Sequence, residues 1–397
     1  MRLDDAVMTR GRLIVLQILS VSGAGLNSLI PMAVSPALPA MAIHFGGTDG
    51  VFAAKLVMAS PALATAIVSP FVGMVAQRVG FRACLLMALA VFAIAGSAGL
   101  VLTGIEPLIA TRIAIGTAAA FLGTITIAMT GLFEQKVRDR LIGFASALGG
   151  GSAIIALSVG GAMVDAAGWQ APFALYLVGI PAFLAACYAV RLRPREEAVV
   201  AHTADPGGPP IARLAPIYML MLVMAVGFFT PGVQGPFLLF ERGVASAATQ
   251  GMLLSLFAAT SAVTSGAFGF IRPRLGERWI KALMLLTLGG GLFGMAAAAS
   301  VTQMGACLLV AGIGAGLSTP QVTAMVLERV SPAFHAHAIG GMYAAIFLGQ
   351  FLNPILLDPI SAVLGLSGMF SAFGIALAAG GFAMGLVNPK PGSRASA

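Results

Sequence analysis

The chain has 397 residues, of which 59% are hydrophobic and only 9% are charged, with a mean hydropathy of +0.98. Soluble domains carry about 25% charged residues, so this chain could not cover a water-facing surface, and a soluble enzyme is excluded. The formal net charge of +8 does not indicate a nucleic-acid partner, because lipid must be the solvent for most of the protein. The composition predicts an integral membrane protein.

Apolar segments long enough to cross a bilayer recur along the whole chain. A bilayer core requires about 20 apolar residues per helix, and an unclosed strand would leave backbone groups unpaired in lipid. Cutting the sequence at charges and turn residues predicts twelve membrane-spanning helices, with an all-α fold. They cover residues 13–38, 51–76, 83–104, 107–131, 141–165, 170–190, 214–239, 249–271, 279–300, 304–327, 338–357 and 367–387. The first is too long for a signal-peptide core, so we interpret it as an uncleaved span.

The basic residues lie almost entirely on one side of this predicted arrangement. With both termini in the cytoplasm, the cytoplasmic ends and loops hold nineteen of the 22 Lys and Arg residues, and the exceptions are Lys55, Arg112 and Arg242. Cytoplasmic loops are enriched in Lys and Arg, so the count supports an even number of spans. It predicts a multi-pass protein of the cell membrane (the inner membrane of a bacterium) with both termini inside.

The chain also carries signs of an internal duplication. The stretch Gly73–Arg82 has the pattern GxxxxRxGxR, and Gly269–Arg278 repeats it 196 residues later, at about half the chain length. Residues 191–213 are rich in Pro, Gly and charge, which is typical of a flexible cytoplasmic linker. We therefore predict two six-helix bundles, residues 1–190 and 214–397, related by a pseudo-two-fold axis along the membrane normal.

Twelve spans, two six-span halves and the motif after the second span resemble the major facilitator superfamily over essentially the whole chain. The family motif reads roughly GxLADRxGRR, and here Gln77 stands where an Asp is usual. The resemblance implies alternating access, with the two repeated stretches as a cytoplasmic gate formed by Gly73, Arg78, Gly80, Arg82, Gly269, Arg274, Gly276 and Arg278. The alternative is that both stretches are only positive-inside anchors with turn glycines.

Three further segments bear on which branch of the family the chain resembles. SPALPAMAIHF in the first span and GWQAPF after the fifth are similar to segments of the drug–proton antiporter branch. The fifth span departs from the antiporter pattern GxxxGPxxGG, because Ala156 and Leu157 stand where Gly–Pro is expected before Gly160 and Gly161. The first two segments favour exporter-type antiport, and the third argues against it.

Polar side chains within the spans are candidates for a substrate site. In the family, spans one, seven, ten and eleven line the central path, and an Arg in a fourth-span motif similar to LIATRIAIGTAAA serves substrate or proton coupling. The predicted substrate-binding set is Asn27, Ser28, Arg112, Gln234, Gln321, Tyr343, Phe347, Gln350 and Asn353. Neutral amides and aromatic rings favour an uncharged or amphipathic organic solute. The alternative for each residue is a helix–helix hydrogen bond.

The sequence places none of the 14 acidic residues clearly at mid-membrane. A proton-coupled carrier uses a carboxylate whose proton affinity is raised by burial and lowered by a nearby cation. Asp49 and Glu106, near the outer end with Arg112, are the predicted proton-coupling residues. The alternative for Arg112 is that it lies close enough to the outer end to reach water.

These observations predict a secondary transporter that exports a small organic solute, drug-like or metabolite, by proton antiport. The alternative is a facilitator or uptake permease that needs no proton, which the degenerate fifth-span motif favours. The expected partners are the solute, protons and the lipid bilayer, and the protein is expected to be a monomer. No cofactor or metal site is expected from the spacing of the cysteines, and no catalytic constellation indicates a membrane enzyme.

Overall fold

The computed structural model describes residues 10–190, 211–331 and 334–386, and every regular element in these ranges is a helix. The first half contains six spans. Span 1 is Arg10–Met32 and Leu38–Phe45 joined by the 3₁₀ turn Ser35–Ala37, and span 2 is Gly47–Val68 and Val72–Val79. Span 3 is Phe81–Ser97, span 4 is Ile105–Thr130, and span 5 is Gln135–Ala167. Span 6 is the 3₁₀ segment Ala171–Val178 with the helix Gly179–Ala189.

The second half contains two helices of unusual length. Span 7 is Ile211–Val233 followed by Gly235–Glu241, and span 10 is Val301–Leu327. The helices Ala247–Ala297 and His335–Leu386 have 51 and 52 residues, and helices of that length would reach about 75 Å, over twice the thickness of a bilayer core. Each turns at a glycine with positive φ, Gly276 at 76° and Gly365 at 72°. We therefore count them as spans 8 and 9 and spans 11 and 12.

The predicted number and type of the spans are confirmed. Ten helical stretches of the described chain are long and apolar enough to cross a membrane, and two of these are the double spans. Span 5 is longer than its predicted range, and span 1 continues past its predicted end to Phe45. Spans 9 and 10 separate where Ser300 caps the next helix by accepting a hydrogen bond from the Gln303 backbone N–H.

The predicted linker is only partly described. Residues 191–210 lie outside the described residues, and span 7 begins at Ile211, three residues before the predicted boundary. We call the end of the bundle with the turns at Gly80 and Gly276 the basic end, and the end with the turns at Gly46, Gly168 and Gly365 the opposite end. The positive-inside rule predicts that the basic end faces the cytoplasm.

Each half packs mainly around its own apolar core, and the two cores meet along four spans. Leu38, Phe92, Ile115 and Phe173 belong to the first core, and Met284, Leu292, Leu308 and Phe370 to the second. Across the halves, span 5 packs on span 8 and span 2 on span 11. A Cβ at Gly161 would lie 2.2 Å from the Ala247 carbonyl oxygen, and one at Gly251 would lie 2.1 Å from that of Leu157. Gly161 therefore allows close packing between the halves, whereas its neighbour Gly160 packs on Ala33 of span 1 within the first half.

Candidate functional site

Two corresponding spans are interrupted, and the interruptions meet between the halves. Span 1 breaks between Met32 and Leu38, where Pro36 lies in the 3₁₀ turn Ser35–Ala37, and span 7 breaks at Gln234 between two prolines. Proline removes a backbone donor and clashes with the preceding turn, so these breaks follow from the sequence. The Ser35 hydroxyl donates to the Gly232 carbonyl at 2.7 Å, which joins one break to the other. Interrupted helices at equivalent places in two repeats are the best sequence indication of a transporter's binding site.

Buried amides surround the break in span 7. The Asn353 side chain of span 11 is fully buried and donates to the Val226 carbonyl and the Thr230 hydroxyl, both at 2.9 Å. Gln234 is fully buried one turn further along. The side-chain oxygens of Asn353 and Gln234 have no hydrogen-bond partner in the described structure. The site therefore contains two buried acceptors whose hydrogen-bonding capacity is unused.

An ion pair crosses between the halves beside this break. Lys55 Nζ of span 2 lies 2.7 Å from Asp358 Oδ1 of span 11, and Lys55 is only 3% exposed. Gln234 Nε2 donates to the same carboxylate oxygen at 2.9 Å, and the Lys55 ammonium lies 5.1 Å from the centre of the Phe237 ring. Ionisable residues within membrane spans are costly and are usually paired and functional.

The sequence alone does not pair Lys55 with Asp358. Lys55 does lie inside the predicted apolar span 51–76, which indicates a cation that needs a partner. The identity of that partner required the fold, because 303 residues separate the two. The pair was therefore missed for lack of tertiary information.

A second carboxylate also joins the halves, at the opposite end. Asp165, in the last turn of span 5, accepts hydrogen bonds from the Ser246 hydroxyl at 2.7 Å and from the backbone N–H groups of Ala247 and Ala248 at 2.8 and 3.0 Å. These groups form the start of span 8, where the unpaired N–H groups and the helix dipole favour an anion. Asp165 thus caps a helix of the other half.

Among the predicted proton-coupling residues, no described contact joins Arg112 to Glu106. Arg112 is 1% exposed and donates to the Ala95 and Gly96 carbonyls, both at 2.8 Å, at the end of span 3. Its guanidinium lies 4.9 Å from the Phe173 ring and 5.2 Å from the Tyr176 ring. Glu106 is exposed in the first turn of span 4, and the side chain of Asp49 lies outside the described residues. The position of Arg112 fits a cation that stabilises the end of span 3 within the first half.

The other predicted substrate-binding residues lie in varied surroundings. Asn27 donates to the Ala119 carbonyl of span 4 at 3.2 Å, and Ser28 donates to its own helix. Gln321 is fully buried, and neither its amide nitrogen nor its oxygen has a partner in the described structure. Gln350 is buried, whereas Tyr343 is exposed. Of the predicted set, Gln234 and Asn353 are the two that the fold brings together at the break in span 7.

The two predicted gate stretches form matching turns at the basic end. Gly80 has φ 94° and Gly276 has φ 76°, both in the region that favours glycine. In the second turn, Arg274 donates to the Phe270 carbonyl at 3.0 Å, and Arg278 donates to the Gly385 carbonyl. In the first turn, Arg78 and Arg82 are exposed.

The family of the chain follows from comparison with known proteins. The sequence profile of the Major Facilitator Superfamily matches residues 20–248 and 217–397, so the chain belongs to this superfamily. Its members are transporters rather than enzymes, and this chain is a multi-pass membrane transporter of that class. A comparison with curated proteins finds no matching sequence.

Solved structures of transporters resemble the chain over nearly its whole length. A D-xylose–proton symporter superposes with a TM-score of 0.74 at 14% identity, covering 95% of this chain and 98% of its own. The nucleoside transporter NupG gives 0.73 at 13%, covering 92% and 99%. The human organic anion transporter MFSD10 (TETRAN) gives 0.66 at 16%, covering 93% and 99%. At such low identities the likeness shows the fold and not the solute.

Proposed function

We propose that the protein exports a small, uncharged or amphipathic organic solute across the cell membrane by alternating access, in exchange for protons. The observation that carries this proposal is the meeting of the two interrupted spans between the halves, at Ser35 and Gly232. In such carriers the halves rock about a fixed central site, so a binding site between them is exposed to one side at a time.

The chemistry of this junction supports a neutral solute. The free side-chain oxygens of Asn353 and Gln234 can accept hydrogen bonds from a hydroxyl, amide or amine group of the solute. Leaving both acceptors unpaired costs free energy in a buried site, so a solute that donates to them binds with a gain. We further propose that the other predicted substrate-binding residues of spans 1, 10 and 11 contact the same solute.

The polar contacts between the halves support a state closed at the opposite end. Three contacts between the halves lie in the part of the bundle nearer that end: Ser35 with Gly232, Lys55 with Asp358, and the Asp165 cap. We propose that alternating access requires these contacts to break when the carrier opens there.

The second candidate is an uptake permease, either a proton symporter or a facilitator. The departure of Ala156 and Leu157 from the antiporter pattern favours it. The similar structures include one named a D-xylose–proton symporter. The uptake candidate therefore fits the comparisons about as well as export does. The two candidates differ in the direction of solute movement relative to the proton, and the facilitator differs in having no proton movement.

The test uses purified protein in liposomes that contain a trapped pH dye. A panel of uncharged and amphipathic solutes is added across an imposed pH gradient, and proton and solute movements are recorded together. We expect solute-dependent proton movement, with the solute moving against the proton. Asn353→Leu removes the free acceptor and both bonds to span 7, and we expect at least a tenfold loss of transport, since each lost hydrogen bond contributes about 1 kcal/mol.

The matched control is Thr287→Val in span 9, whose hydroxyl bonds only its own helix at the Leu283 carbonyl. It should transport like the wild type. Movement of solute and proton in the same direction would replace export by uptake, and solute flux without proton movement would leave a facilitator. The absence of flux for every solute, or equal loss in both variants, would contradict the proposal.

A further inference from the structure

We infer that Lys55 and Asp358 form a proton-controlled tie between the two halves, in which Asp358 binds a proton when the opposite end opens and releases it when Lys55 returns. The inference deepens the proposed function, because it assigns proton coupling to residues other than the predicted Asp49, Glu106 and Arg112. It depends on one geometric fact: the ammonium and the carboxylate come from different halves and meet at 2.7 Å.

The depth of the pair makes it sensitive to separation of the halves. Span 2 begins at Gly47 and span 11 ends before Gly365, so both charges lie about 10–12 Å along their helices from the opposite end. Lys55 is almost fully buried, and the Asp358 side chain is 21% exposed. Removing one partner from a buried pair leaves an uncompensated charge, which is strongly destabilising. Separation of the halves at this level therefore requires water or a proton to replace the missing partner.

Few other groups can take over the role of either partner. Gln234 Nε2 donates to the Asp358 carboxylate, but an amide carries no charge to neutralise it. Phe237 presents its ring to the Lys55 ammonium. Glu241, at the end of span 7, is the other described carboxylate that acts electrostatically on Lys55. The nearby Arg242 is directed to the Ala296 and Ala298 carbonyls. The ammonium of Lys55 is thus the only cation described in contact with Asp358.

The proton cycle follows from this arrangement. When the halves part at the opposite end, Lys55 leaves Asp358, and a hydronium ion from the water on that side transfers a proton to the carboxylate and becomes water. When the opposite end closes again, alternating access opens the site to the basic side. The returning ammonium favours the ionised carboxylate, so Asp358 releases its proton to the water on that side. One proton moves inward in each cycle, whichever way the solute moves.

The first test measures opening directly and needs no solute. Cys84 is replaced by Ala and Cys187 and Cys307 by Ser, and spin labels are attached to new cysteines at the exposed positions Thr103 and Thr302. These positions lie at the opposite end in different halves, so the distance between the labels reports opening. In the wild type we expect the long-distance population to rise at least threefold between pH 8 and pH 5. Asp358→Asn should give the same distribution at both pH values.

Further variants separate loss of the proton site from loss of the fold. Asp358→Glu keeps the carboxylate and should keep the pH response. Lys55→Met removes the cation and should raise the long-distance population at pH 8. Asp139→Asn, at an exposed acidic residue of the basic end, is the matched control and should respond like the wild type. A pH response kept in Asp358→Asn but lost in Asp165→Asn or Glu106→Gln would overturn the inference and move the coupling to that residue.

The liposome assay then connects the tie to transport. With a solute that drives proton movement in the wild type, Asp358→Asn should lose at least 90% of that movement and keep exchange of labelled for unlabelled solute. If Asp358→Asn keeps proton movement, the inference fails while the proposed transport stands. If the wild type shows the pH-dependent opening but moves no solute, the proposed function fails while the tie stands.

Discussion

The two turns at the basic end share a sequence pattern and a backbone conformation but differ in their contacts. In the second half, Arg278 donates to the Gly385 carbonyl at the end of span 12, and its guanidinium lies 5.3 Å from the Trp279 ring. In the first half, its counterpart Arg82 is exposed, and no hydrogen bond or ion pair of its side chain is described. The same motif therefore anchors one half and leaves an exposed cation in the other.

The contact missing from Arg82 is supplied by a different residue. Arg12 Nε donates to the Ala189 carbonyl at the end of span 6, at 2.9 Å. Ala189 precedes Gly385 by 196 residues, the same offset that relates the two repeated stretches. Both halves thus place an arginine on the last turn of their sixth helix, where the helix dipole favours a cation. Both halves therefore have an arginine at the end of their sixth helix, but the arginine comes from a different place in each half.

The turn of the second half also carries three described ion pairs. Glu277 pairs with Lys281 at 3.0 Å and with Arg329 at 3.4 Å, and Arg272 pairs with Glu328. The pairs with Arg329 and Glu328 join the turn between spans 8 and 9 to the end of span 10, whereas the pair with Lys281 lies within span 9. The first half has Gln77 in place of the family Asp at its turn. We therefore expect the first turn to depend on its glycine more than on its charges.

The largest effect is expected from replacing the glycine of either turn by valine. Gly80 has ψ 137° and Gly276 has ψ 164° with positive φ, a region that only glycine adopts freely. Gly80→Val and Gly276→Val should each cost about 1–3 kcal/mol of stability. Thermal unfolding of the purified protein in detergent measures this loss.

The control for the glycine variants is Gly143→Val, at a helical glycine of span 5 where a Cβ meets no atom within 4 Å. It should change the stability little. If either turn accepts valine as well as position 143 does, the shared backbone requirement is wrong for that half.

An intermediate effect is expected from the arginines that contact the sixth helix of each half. Arg278→Met and Arg12→Met each remove a charged hydrogen bond to a helix-end carbonyl, and we expect a loss of about 1–2 kcal/mol. Arg82→Met should cost less than about 0.5 kcal/mol, as is usual for exposed residues without such contacts. The same unfolding measurement ranks the three variants. A loss at Arg82 equal to that at Arg278 would show that the two motifs have the same role after all.

The limits of sequence-based prediction are visible in these same residues. Span number and helix type were predictable, because lipid forces the backbone to pair within each apolar segment. The glycine turns were predictable from the repeat. The partner of each charged side chain was not predictable from the sequence. Arg12 contacts Ala189 and Lys55 contacts Asp358, which lie 177 and 303 positions away, and helix packing decides such pairs. The motif around Arg112 predicts a transport role, which stays a prediction, and its described contacts are with the end of span 3 and with the Phe173 and Tyr176 rings.

A small effect, much below that of Arg278→Met, is expected from the exposed ion pairs of the second turn. The Arg272 and Glu328 side chains are 29% and 49% exposed, and exposed pairs typically contribute about 0–1 kcal/mol. Glu328→Gln should therefore lower the stability by about 0.5 kcal/mol at low salt. The difference should vanish in about 1 M salt, where charges are screened within about 3 Å. A loss as large as that of Arg278→Met, or one insensitive to salt, would mean that this pair restrains the turn through its geometry. The anchoring of the second half would then be shared between both contacts, and the contrast with the first half would be greater than Arg278 alone accounts for.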